Sequence, residues 1–304
     1  MKSFLSSQCA VVACGIALVI VAIYAFHRAP MDVDTHVHLA LLDTHFVSPF
    51  EMNRWGGPDG ETRRWIAGGL YPWYKHPDSY LVEVRPLWSG VVALAYAVFG
   101  RAPLPYYLTS LVVFLGFLAA VWAWLRRQLP VELHVLAVCI FVLDGLHAES
   151  AVWFANLHSV VGGALAMLAV MMHVRWRDGW KPGLWLAAGL AVAALAFSET
   201  SLGAFAFVVA FELLGVRPHR IRALLPLTAI CLAFLALLKL GGVGAKLNPL
   251  YADPFGEPGR FLSIAAHNLR WYFEASFGAL APEPEAHAQS GAPRAARALL
   301  RRRT

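Results

Sequence analysis

Seven stretches of this chain read as membrane spans: 8–26, 105–125, 130–146, 157–174, 183–198, 200–215 and 221–240. Crossing a hydrocarbon core of roughly 30 Å takes a helix of about 20 apolar residues, and no other feature constrains the fold as strongly. The first stretch, Gln8 to Phe26, holds nineteen residues without a charge. Ile23 to Arg28 offers no small-x-small cleavage site, so this stretch reads as an uncleaved anchor and not a signal peptide. From Gly183 to Val216 the chain is apolar except for a few residues such as Glu199 and Glu212. As one helix that run would be about 50 Å long, so it must turn back, and Ser198-Glu199-Thr200 is the expected turn.

The composition agrees, with 59% apolar and 14% charged side chains against roughly 25% charged in soluble domains. A secreted disulfide domain, a soluble Rossmann or barrel enzyme and a nucleic-acid-binding module are excluded. Cys9, Cys14, Cys139 and Cys231 all lie inside apolar runs and form neither a disulfide framework nor a zinc pattern. The net charge of +6 is explained by position. If 84–99 does not span, Arg126, Arg127, Arg175, Arg177, Lys181, Arg217, Arg220 and Arg222 all share the side of the N-terminus, while the turns 147–156 and 198–200 carry no Lys or Arg. That asymmetry follows the positive-inside rule. It puts the N-terminus on the cytoplasmic side of an inner membrane and loop 27–104 on the outer, periplasmic side, with 84–99 as an interfacial or re-entrant helix.

The same parity brings loop 27–104, the turn 147–156, the Glu199 turn and the segment after 240 to one outer surface. Loop 27–83 carries Trp55, Trp65, Trp73, Tyr71, Tyr74 and Tyr80, residue types that settle at headgroup depth, and is expected to fold as short helices against the membrane. Residues 1–280 read as one transmembrane domain and 281–304, rich in Ala, Pro and Arg, as a disordered basic tail. Arg301-Arg302-Arg303 is unusual for an outward tail, so either 261–280 crosses the membrane or the chain ends short of a longer parent.

Polar residues gather on the outer loops. Asp32 and Asp34 follow the first span closely, and a partly desolvated pair of carboxylates suits a catalytic base, with a divalent cation as its expected helper. The alternative is a helix N-cap. Asp34, His36 and His38 also spell D-x-H-x-H, ligand types that suit a metal, but the barrel that such a pair needs in metal-dependent amidohydrolases does not fit in this loop. His147 and Glu149, with Trp153, Asn156 and His158, form a second cluster, in which Glu149 and Asn156 are able to position a sugar, a phosphate or a cation, or alternatively the group caps helices and anchors at the interface. Glu199 marks a third site, or a plain tight turn. Arg85 opens the interfacial helix, where a guanidinium can grip a phosphate bidentately or simply meet lipid headgroups.

Read in order, the outer segments carry the motifs Gly69-Leu-Tyr-Pro-Trp-Tyr, Val84-Arg-Pro-Leu-Trp, Phe99-Gly-Arg-Ala-Pro, the run Leu143 to His158, Ser198-Glu-Thr, and Leu250 to Phe261. This layout resembles the GT-C superfamily of polytopic glycosyltransferases, and is distantly similar to O-mannosyltransferase and TMTC-type membrane domains. The resemblance implies an all-α, polytopic helical bundle of about seven transmembrane helices with juxtamembrane helices in the first outer loop. It implies sugar transfer from a polyprenyl-phosphate donor to an outer-face acceptor. The family's acidic base maps onto Asp32 or Asp34, and its second polar position onto the region of His147 and Glu149. The chain departs from the family in its Asp-x-Asp spacing and in reading Ser-Glu at the later turn. Two other readings stand beside this one: a non-catalytic scaffold or lipid-binding protein that keeps the fold, and a transporter. The latter is disfavoured by spans nearly bare of charge.

Overall fold

The computed structural model describes residues 15, 32–44, 52–56, 60–69, 76–130, 133–134, 136–138, 141, 153–215, 220–241, 243–246 and 256–277. The first expected span therefore lies outside the described residues apart from Gly15, and the third is represented only by helical residues at 133–134, 136–138 and 141. In chain order the elements are α1 (Val33–Thr44), β1 (Arg54–Trp55), α2 (Glu61–Ala67), β2 (Tyr80–Val82), α3 (Pro86–Phe99) and α4 (Pro103–Gln128), then a 3₁₀ turn (Phe154–Asn156), α5 (Leu157–Arg177) and α6 (Gly183–Phe197). A second 3₁₀ turn (Glu199–Ser201) follows, then α7 (Leu202–Leu214), α8 (Arg220–Leu240) and β3 (Gly244–Lys246). The chain divides into two compact units, of which the second begins at Pro249 and carries α9 (Pro258–Phe277).

The fold is mostly helical, and among the described residues three helices are long and apolar enough to cross a membrane: 103–128, 154–177 and 221–240. They mark a membrane protein. At about 1.5 Å per residue, α6 with 15 residues and α7 with 13 fall short of roughly 30 Å. The long apolar run does break where expected. Ser198 is extended, with φ −159° and ψ 132°, so α6 stops there and the 3₁₀ turn starts a new axis. The helices' outward faces are apolar, with Val112, Trp185, Leu214, Ile221 and Leu240 all well exposed. A soluble fold would not leave so much apolar surface uncovered.

Small residues set the spacing inside. Gly162, Ala166 and Ala169 of α5 face Ala187, Ala191 and Ala194 of α6, all buried, a seam that lets two helix backbones approach closely. The hairpin between them needs Gly179, whose φ of 100° is costly for residues with a Cβ. Phe205, Val208 and Leu227 extend this core onto α7 and α8. At the far end of α5, buried Glu212 of α7 takes both His173 Nε2, at 2.8 Å, and Arg177 Nε, at 2.9 Å. That cluster ties α7 to α5 without leaving a lone buried carboxylate.

The second apolar cluster packs α3 against α4 and the first 3₁₀ turn. Its rings run in sequence: Trp88 to Phe154 at 5.2 Å, Phe154 to Tyr106 at 4.8 Å and Tyr106 to Phe99 at 6.0 Å. Both ends of α3 are thus held where α4 begins.

Loop 27–83 contains the short helices α1 and α2, as anticipated, but also a small sheet that was not. β2 lies between β1 and β3 in antiparallel register, with Arg54 opposite Val82 and Tyr80 opposite Lys246. This sheet ties the segment after α8 back to the first loop. Together with the Arg85–Glu199 and Asp32–Trp153 contacts described below, it brings four sequence-distant segments to one end of the helices.

Candidate functional site

The segment Val82-Glu83-Val84-Arg85-Pro86 leaves β2 and enters α3. Side chains of an extended segment alternate sides, and here the charged pair turns inward. Arg85 is 7% exposed and Glu83 7%. The guanidinium donates Nε to Glu199 Oε2 at 3.0 Å and Nη2 to Glu199 Oε1 at 2.5 Å. Nη2 also donates to Glu83 Oε1 at 2.7 Å, and Nη1 lies 2.9 Å from His158 Nε2. The His158 ring continues through Nδ1 to Ser159 Oγ (3.0 Å) and Ser198 Oγ (3.3 Å), and Ser198 Oγ meets Thr200 Oγ1 at 2.8 Å. With both carboxylates ionised against one guanidinium this network is anionic, and a proton on Glu83 makes it neutral.

The charge balance moves protons. Burial, with Glu199 adding to it, pushes Glu83 up to about 7 against the opposing pull of Arg85. A buried carboxyl that titrates near neutrality suits proton transfer. His38, on the inner face of α1, is pushed down to about 4 by burial first and by Arg85 second. Its ring packs 5.2 Å from Trp55. The Asn53 side chain stands beside it, close enough to oppose the shift but outside hydrogen-bonding geometry, and donates instead to Ser89 Oγ at 2.9 Å. Both ring nitrogens of His38, Asn53 Oδ1 and Trp88 Nε1 are buried without a partner. Such unspent capacity is uncommon in native interiors.

Asp32 and Asp34 have different surroundings. Asp32 caps α1: its Oδ1 accepts from Thr35 N at 2.7 Å and its Oδ2 from Thr35 Oγ1 at 2.5 Å. Trp153 Nε1 donates to the same Oδ1 at 3.1 Å. Asp34 follows in the first turn, half-buried, and its carboxyl is raised by burial and then by the charge of Asp32. It lies one helical turn before His38 on the same face. Of this pair, Asp32 is the cap and Asp34 is the carboxyl that burial raises.

The structure therefore joins Arg85 to Glu199, and Asp32 to the turn that ends in Asn156. Asn156 closes that turn directly before α5, half-exposed. His147 and Glu149 lie outside the described residues. Among the described residues no three His, Cys, Asp or Glu side chains stand together as a metal site, at Asp32, Asp34, His36 and His38 or elsewhere. The segment is a helix and not extended, so positions two apart turn away from each other. His36 is exposed while His38 is buried. Arg85 opens α3 as expected, but all three of its nitrogens are engaged by protein. Glu83 was missed, and the i, i+2 pair Glu83 and Arg85 in an extended entry to a helix was the available signal; His158 closed the second polar cluster of the sequence without a role of its own.

On the other side of the same segment an apolar cavity of about 810 Å³ opens between Val82, Val84 and Pro86, α6 at Leu195 and α8 at Ala233 and Phe234. Comparison with family models, with curated proteins and with solved structures finds no match.

Proposed function

We propose that this chain is a GT-C-like membrane glycosyltransferase of about seven spans, moving a sugar from a polyprenyl-phosphate donor to an acceptor on the outer face. The observation that carries the reading is the alternation of residues 82–86. Val82, Val84 and Pro86 line an apolar cavity suited to an isoprenoid chain, while Glu83 and Arg85 enter the polar network behind it. A lipid tail and its reacting head thereby share one short segment. The unpartnered nitrogens of His38 and the Asn53 oxygen offer hydrogen bonds that suit the hydroxyls of a sugar.

In this mechanism Asp34 is the base. Asp32 is occupied as a cap, whereas the raised carboxyl of Asp34 is suited to take the acceptor proton as the acceptor oxygen attacks the anomeric carbon and polyprenyl phosphate leaves, inverting configuration. Arg85 acts by positioning: it holds Glu83 and Glu199, and its engaged nitrogens and anionic partners do not suit a second role as phosphate clamp. The reading is tested by obstructing the cavity. Ala233→Trp should raise KM for the lipid-linked donor with kcat little changed, and an unaltered KM would contradict it. The engagement of Arg85 favours one second reading, a non-catalytic lipid-binding protein. That reading predicts donor-lipid binding without transfer.

A further inference from the structure

α9 stands apart from the spanning helices in its pattern. Arg260, Ser263, His267 and Arg270 recur at steps of three and four, which on a helix gathers them into a single narrow stripe. The rest of the circumference is dominated by apolar side chains. Among the described side chains Phe261 is 39% exposed, Leu262 66% and Leu269 59%. A helix of twenty residues with a wide uncovered apolar face needs a cover.

We propose that α9 lies flat in a phospholipid headgroup layer, with Leu262, Ala265 and Leu269 toward the acyl chains and the Arg260 to Arg270 stripe toward water. Three observations choose a lipid surface over other covers. The same chain carries three helices able to cross a membrane, and the last of them ends at Leu240, while α9 starts at Pro258. Between them β3 is fixed in the sheet, and the eleven residues 247–257 that remain span up to about 40 Å when extended, so a bilayer surface is within reach. The stripe is basic on balance, which suits anionic headgroups, and the sequence continues with Trp271 and Tyr272, residue types enriched at that depth. Two arginines and a histidine along one helix also oppose a spanning placement. A strongly polar stripe with low overall hydrophobicity is the mark of an interfacial helix.

The test uses the full chain in phosphatidylcholine nanodiscs containing phosphatidylglycerol, with Cys9, Cys14, Cys139 and Cys231 replaced by serine. An environment-sensitive fluorophore is attached in turn to Leu262→Cys, Ser263→Cys, His267→Cys and Leu269→Cys. The expected result is quenching at 262 and 269 by a lipid labelled near its headgroup, with a several-fold lower iodide quenching constant there than at 263 and 267. Equal iodide quenching at all four would overturn the proposal by placing the helix in water. A steady increase in depth from 262 to 269 would overturn it by making the helix a span. Protection of 262 and 269 from both quenchers would overturn it by showing a protein cover.

Discussion

The Arg85 guanidinium grips Glu199 through two hydrogen bonds, at 3.0 and 2.5 Å, across 114 residues of sequence. Arg85 enters α3 and Glu199 opens the turn between α6 and α7, so this one pair locks the first loop onto the helical core. Breaking a buried pair by removing one partner costs about 3–5 kcal/mol, because the other charge is left alone. Arg85→Met should therefore lower the denaturation midpoint sharply. Arg85→Lys should recover little, since an ammonium cannot reproduce the planar fork. Glu199 is the more exposed partner, at 32% of its side chain against 8% for Arg85, so Glu199→Gln should cost less. Equal losses for Arg85→Met and a surface control would contradict the role.

The pH dependence of stability separates the two buried titrating groups. Glu83 holds its proton to about 7 in the fold but only to about 4.5 unfolded. Its contribution is therefore complete below 4.5 and is lost as pH rises to 7. His38 runs the other way: its folded value of about 4 lies below 6.5, so its contribution grows as pH rises from 4 and is complete above 6.5. In the native chain the two slopes oppose each other between about 4.5 and 6.5. Glu83→Gln should expose a stability that rises with pH in that window, and His38→Gln one that falls. Denaturation midpoints measured across the window check both signs, and parallel curves for the two variants would refute the assignment.

Gly162 controls how closely α5 meets the Glu199 turn. A Cβ there would stand 2.6 Å from Ser201 Oγ and 3.1 Å from Ser198 Cβ. Gly162→Ala should destabilise by about 1–3 kcal/mol, the usual cost of overpacking. Adding Ser201→Ala removes the tightest contact and should restore part of that loss. A neutral Gly162→Ala variant would show that the seam is looser than described.

Hydropathy located the helices well because a bilayer demands long apolar runs. The stretches 105–125 and 157–174 reappear as Pro103–Gln128 and Leu157–Arg177, and the break falls at Ser198. Parity of the spans brought the first loop, the Glu199 turn and the segment after 240 together. It did not name their partners. The pairing of Arg85 with Glu199 and His158 depends on side chains from three elements, and no local spacing encodes that. Glu83 was overlooked for a related reason: its pairing with Arg85 is local, but its second partner, Trp55, comes from another strand. The strands β1 to β3 are two or three residues long, too short to show alternation. The Asp-x-His-x-His string has a period that suits a strand, whereas Asp32 starts a helix by capping it.

The most direct test is the contrast between two neighbouring aspartates. Purified full-length chain in nanodiscs is given polyprenyl-phosphate sugars and acceptor, and transfer is measured for Asp34→Asn and Asp32→Asn at equal folded content. Asn is itself a good helix cap, so Asp32→Asn should keep most of the activity. Asp34→Asn should lose about 100-fold or more, the scale of a general base. Undiminished transfer by Asp34→Asn would contradict the account.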